Sequence, residues 1–176
     1  QNPLATIVSQ SDGTLEANHI PLIMQEGRLI GHIARANQLS NLDGQNCLAI
    51  FNGDNAYISP NFYPTKHINH KEVPTWNYSA VHFYGKIKII SEKSEILKII
   101  SELTNIHEKD FENPWKVSDA PSDYIEKLLN AIVGIEISIE KTIAKSKLSQ
   151  NKSDENKKGV IEGLEKMGIK PDKLVK

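Results

Sequence analysis

Two dipeptides, Asp12-Gly13 and Glu26-Gly27, set the strongest limit on how this chain can fold. They punctuate "PLATIVSQSDGTLEANHIPLIMQEGRLIGHIAR", in which apolar and polar residues alternate on either side. Glycine accepts positive φ at little cost, so an acidic residue followed by glycine between alternating runs predicts a tight hairpin. Strands joined this way pair antiparallel. This stretch predicts three strands, and "CLAIFNGDNAYISP" predicts another hairpin around Asn52-Gly53. "SAVHFYGKIKII" continues the alternation, with Val81, Phe83, Gly85, Ile87 and Ile89 on one side and His82, Tyr84, Lys86 and Lys88 on the other. "GIEISIEKTI" alternates through Ile135, Ile137 and Ile139.

Helical spacing appears in three places. After Ser91, an N-cap residue followed by Glu92, the apolar positions are Ile96, Ile99, Ile100 and Leu103. After Pro121-Ser122 they are Ile125, Leu128, Leu129 and Ile132, with Gly134 as the expected stop. A third helix starts near Ser153, carries Val160, Ile161 and Leu164, and ends at Gly168. About five short strands, two helices, one strand and a last helix leave many strands with little cover. A closed barrel removes the exposed edges, so the expected class is mainly β (α+β), a barrel with peripheral helices.

At 176 residues the chain is long enough for one domain with a core that needs no disulfide or metal. The expected division is a barrel over residues 1–145 with inserted helices and a C-terminal segment, 146–176, packing back on it, the whole forming a single domain. The single cysteine, Cys47, lies in the apolar run "CLAIF" and reads as a buried thiol. With no disulfide framework, no signal peptide and no membrane-spanning run, a cytoplasmic, reducing location is expected. With 21 basic against 22 acidic residues, the chain lacks the global charge of an autonomous DNA-binding module.

Several stretches could carry chemistry. "GHIARANQ", residues 31 to 38, places Arg35 and Asn37 after a strand, where a guanidinium and an amide can hold a phosphate; the competing reading is an arginine closing a turn. "YISPNFYP" and "VPTWNY" are stiffened by proline. Trp76, Tyr63 and Tyr78 there could wall a flat ligand, with Asn61 and Asn77 orienting it, or pack a barrel end. "KLSQN", residues 147 to 151, is rich in donors and reads as a solvated linker or a segment ordering against a ligand. His67 and His70 are three apart without an evident third ligand, so no metal site is expected. No nucleophile elbow, dinucleotide fingerprint or P-loop is present.

Taken in order, "ANHIPL", "GHIARANQ", "AIFNGDNAYISPNFYP", "VPTWNYSAVHFYGK", "NPWKVSDAPSDYIEKLLNAIVGIEI" and "KSKLSQNKSDENKKGVIEGL" resemble the PaiB-like family of FMN-binding negative transcriptional regulators. The resemblance runs from about Leu4 to about Leu164. It implies an FMN-binding split barrel that works as a homodimer, with flavin sites at the subunit interface. His32, Arg35, Ala36 and Asn37 fall on the segment expected to cradle the FMN phosphate. Asn18 and His19 fall on the strand that approaches the flavin ring, and Trp76 and Asn77 near the cofactor. Lys147, Ser149 and Gln150 fall on a block expected to fold over the site. Phe62 stands where relatives carry Trp. Members of the family carry a further segment ahead of the block matching "PLATIVS", so the opening Gln leads to the expectation of a clipped or partly ordered end.

The function implied is FMN binding with a negative regulatory role, through DNA or a regulatory protein. The charge inventory argues against strong DNA binding by the chain alone. The alternative is a flavin-dependent oxidoreductase acting on a small substrate, of pyridoxamine phosphate oxidase or flavin reductase type. Haem binding or degradation, seen in distant split barrels, is a third reading, with no histidine matched to an axial position.

Overall fold

A computed structural model describes residues 2–176. The strands are β1 (Leu4–Ser11), β2 (Thr14–Pro21), β3 (Ile23–Gln25), β4 (Arg28–Ala34), β5 (Asn46–Ile58), β6 (Thr75–Ile90) and β7 (Ile132–Lys147). The helices are α1 (Lys66–Asn69), α2 (Lys93–Glu108), α3 (Ser122–Ala131) and α4 (Asp154–Lys166). Both acidic-glycine turns form as the sequence predicts. Asp12 and Gly13 have φ of 49° and 79°, Glu26 and Gly27 of 48° and 78°. Positive φ at both central residues matches the right-handed twist of the strands they join.

The predicted hairpin at Asn52-Gly53 does not form, and β5 runs straight through it. A Cβ at Gly53 would collide with the Ser79 Oγ, so the glycine serves close approach rather than a turn.

The chain divides into two compact units. The first takes the residues up to Phe51 together with His82–Thr142; the second takes Asn52–Val81 and Ile143–Lys176. The seven-stranded sheet has the order β2-β1-β5-β6-β7-β4-β3. Its two outermost strands, β2 and β3, are separated in sequence by Leu22 alone. A chain that passes from one edge of a sheet to the other through one residue requires the sheet to curl closed, which is the barrel of the first unit.

Side chains pointing inward form the barrel core. Ile7, Leu29, Ile33, Ile87, Ile135 and Ile137 are buried there beside Cys47. Burial pushes the Cys47 thiol up to about 11, so at neutral pH it is a protonated, inert packing group. The outer face of β4 is also covered, because Ile30 packs with Ile96, Ile99 and Leu103 of α2 and Leu129 of α3. Helix α2 begins one residue later than Ser91 suggests: Glu92 is the N-cap, its carboxylate accepting from Ser94 N. Helix α3 passes into β7 with no intervening loop.

The second unit has its own core of Ala56, Ile58, Tyr63, Val160, Leu164 and Leu174. Phe62 lies flat on α4, where a Cβ at Gly163 would enter its ring. No described helix is long and apolar enough to cross a membrane.

Candidate functional site

Period-two alternation on β2 places Glu16 and Asn18 on one side of that strand. The chain leaving β4 turns at residues 35–37 into a short 3-10 helix, Gln38–Asn41, and Asn37 caps it. The Asn37 Oδ1 accepts from Leu39 N at 2.9 Å while its Nδ2 donates to Asn18 Oδ1 at 2.9 Å. One side chain thus fixes both the turn and its distance from β2. The result is a polar pocket of about 430 Å³ lined by Glu16, Ala17, Asn18, Ala36, Asn37 and Gln38. With its amide oriented to donate, Gln38 reaches the Glu16 carboxylate at 2.8 Å.

Arg35 stands at the entry to this turn and binds three consecutive carbonyls where α3 meets β7. Its Nε donates to Asn130 O at 3.0 Å, its Nη2 to Ile132 O at 3.1 Å, and its backbone N to Ala131 O at 2.8 Å. A cation at the C-terminal end of a helix also meets the favourable end of its dipole. Of the five guanidinium N–H groups, this leaves both on Nη1 and one on Nη2. Arg35 is exposed, so those donors face solvent.

This donor set suits a ribityl phosphate. The amides of Asn18 and Gln38 and the Glu16 carboxylate can exchange hydrogen bonds with hydroxyls. The remaining fork of Arg35 is the one nearby cationic group of the 35–38 turn for a phosphate. Glu16 would repel a phosphate placed against it, whereas the Arg35 side could accept one.

The other expected residues lie elsewhere. His19 is exposed on β2 opposite Thr6. His32 shares the face of β4 that carries Ile30, and lines a separate, apolar cavity of about 700 Å³ beneath α2 and α3. Although part of its ring is solvent-exposed, burial against that wall lowers its pKa below the usual imidazole value.

In the second unit, adjacent residues on β6 face opposite ways. Trp76 is 54% exposed, and its ring meets Tyr57 edge-on at 6.0 Å between centroids. Asn77 is buried, its Nδ2 donating to Ser149 Oγ and to Leu174 O, both at 2.8 Å. Ser149 adopts φ of 62°, a left-handed conformation held in place by that bond. Lys147 donates to Thr75 Oγ1. Gln150 closes its own turn, accepting from Leu148 N and donating to Ser146 O, both at 2.7 Å. "KLSQN" is therefore an ordered turn whose polar groups are engaged within the unit.

Sequence reasoning passed over Glu16, Gln38 and Tyr57. The first two were available as the period-two neighbour of Asn18 and the residue following Asn37. Tyr57 required the pairing of β5 with β6. Among the described residues, no group of three or more His, Cys, Asp or Glu is placed to hold a metal.

Residues 1–141 match the family described as "Putative FMN-binding domain". An uncharacterized protein of Emericella nidulans is 34% identical over 216 aligned positions, covering 99% of this chain and 86% of the relative. The Bacillus subtilis "Protease synthase and sporulation protein PAI 2" is 33% identical over 171 positions, covering 94% of this chain and 80% of its own. Among solved structures, the FAD and haem binding protein of Mycobacterium smegmatis superposes with a TM-score of 0.65 at 16% identity, covering 88% of this chain and 71% of that one. A flavocytochrome of Azotobacter vinelandii gives a TM-score of 0.56 at 15% identity, covering 83% of this chain and 62% of that one. At such identities the superpositions establish a shared fold, the split barrel.

Proposed function

We propose, from the premise that this chain belongs to the FMN-binding domain family it matches over residues 1–141, that it holds FMN non-covalently in the polar pocket of the barrel unit and has a negative regulatory role. The observation carrying this reading is the Asn18–Asn37 bond beside an arginine with three unused N–H groups. Asn18, Ala36 and Asn37 would line the ribityl chain, and Arg35 would meet the phosphate. FMN, when bound, supplies reversible hydride or electron transfer. The protein's own part is to bind and orient it.

We further propose a homodimer, on the resemblance of the ordered sequence blocks to split-barrel proteins that pair. Asn77 and Ser149 have a structural role in this reading, holding the tail at Leu174.

The Bacillus relative's name ties it to protease synthesis and sporulation, which suits regulation. A protein partner is favoured over DNA. Lysines outnumber carboxylates in the second unit, but α4 mixes Lys158 with Glu162 and Glu165 on its exposed side. That leaves no single-signed helical face for a phosphate backbone.

Titration of flavin-free protein with FMN, FAD and riboflavin tests the reading. The expected result is saturation near one FMN per chain, with FMN the tightest of the three. Failure to bind any flavin would overturn it.

A further inference from the structure

We propose that the apolar cavity beneath α2 and α3 is a second binding site, for an uncharged, flat, largely apolar small molecule carrying one hydroxyl or carbonyl group. The proposal does not rest on the flavin reading, because the cavity and the polar pocket share no lining residue.

The cavity lies wholly within the barrel unit, and its volume of about 700 Å³ falls in the range of small-molecule sites. Ile100 and Leu103 of α2, Ile125 and Leu128 of α3, and Ile132 of β7 form its apolar walls, with Trp115 at one side. Four lining residues have polar side chains: His32, Thr104, His107 and Glu108. Two of them already have partners. The Thr104 hydroxyl donates to Ile100 O at 2.7 Å, and the Glu108 Oε2 accepts from Trp115 N at 3.1 Å. The two imidazoles remain as handles. Burial favours the neutral form of His32, and a neutral ring offers one donor and one acceptor, the complement of a hydroxyl or carbonyl.

Charge decides the ligand class. No Lys or Arg lines the cavity, while Glu108 does. An anion, including any phosphate-bearing flavin, would lose hydration against apolar walls and meet a carboxylate with no counter-charge. A cation would exchange its hydration for one carboxylate already bonded to a backbone N–H. A neutral aromatic molecule loses little hydration and gains the apolar contact.

The test uses the flavin-free protein and equilibrium dialysis at neutral pH with naphthol, naphthoate, naphthylmethylammonium and naphthalene as probes. Naphthol is expected to bind at one site per chain, at least about tenfold more tightly than either ion. Leu128→Trp fills the cavity from an exposed position on α3 and should weaken naphthol by about tenfold or more. His32→Phe combined with His107→Phe keeps both rings but removes both handles, and should abolish the preference for naphthol over naphthalene. Naphthoate binding as tightly as naphthol would overturn the proposal, as would naphthol binding that survives Leu128→Trp in a natively folded variant. Absence of saturable binding would do so too, including the case where a second copy of the chain occupies the cavity. Should Leu128→Trp fail to fold, an unchanged naphthol-to-naphthalene ratio in the double variant His32→Phe/His107→Phe is sufficient to reject the site.

Discussion

Gly85→Ala is expected to destabilise the barrel by about 3 kcal/mol or more, a large part of the usual stability of a domain. Gly85 is buried on β6. A Cβ there would collide with the Ser138 carbonyl oxygen and come within 3.0 Å of the Ile137 Cγ2 on β7. The carbonyl is backbone in a neighbouring strand, so it cannot swing aside as a flexible side chain would. Relief would require moving a strand whose Ile135 and Ile137 anchor the core. Gly13→Ala is the contrast. Nothing lies within 4 Å of a Cβ at Gly13, so its cost comes only from a φ of 79°. That conformational cost is about 1–2 kcal/mol. Urea unfolding of the two variants measures the difference. Equal midpoints would show that β6 and β7 do not approach as closely as described.

Arg35→Ala is expected to weaken FMN by about ten- to a hundred-fold, the loss of a charge-assisted contact of roughly 1.5–3 kcal/mol. The same substitution also frees the Asn130 and Ile132 carbonyls, which could loosen the turn carrying Asn37. Riboflavin separates the two effects. It lacks the phosphate, so a lost phosphate contact weakens FMN alone, whereas a loosened turn weakens both ligands. The expected outcome is a large loss for FMN with a small one for riboflavin. Arg35→Lys should recover little, since an ammonium cannot span the α3 carbonyls and a phosphate at once. Equal weakening of both flavins would make Arg35 a brace for the turn and move the phosphate elsewhere.

What the sequence disclosed depended on how local the cause was. The turns at Asp12-Gly13 and Glu26-Gly27 follow from backbone preferences of two adjacent residues, and both form. Asn52-Gly53 carries the same local signal, but β5 continues because pairing with β6 brings Ser79 against Gly53. That requirement comes from a residue far along the chain. Gly134 failed as a helix stop for a similar reason: α3 ends at Ala131, and Gly134 lies within β7. The barrel was legible because many alternating strands need closure. The division into two units was not, since its boundaries fall inside the continuous strands β5, β6 and β7.

The candidate site was legible to the same degree. The block "GHIARANQ" led to Arg35, Ala36 and Asn37, and the preceding strand to Asn18. Their joining bond could not be read from spacing, because it depends on how β2 meets the turn after β4. Trp76 and Asn77 are neighbours in sequence, yet a strand sends adjacent side chains to opposite faces, and one is exposed while the other is buried.

Flavin in the pocket between β2 and the turn after β4 would be seen in the amides that line it. Backbone amide NMR shifts during titration with FMN test this placement most directly. The largest changes are expected on Ala17, Asn18 and residues 35–38. Changes confined to residues around Trp115 and Leu128, with those amides unmoved under saturating FMN, would contradict it.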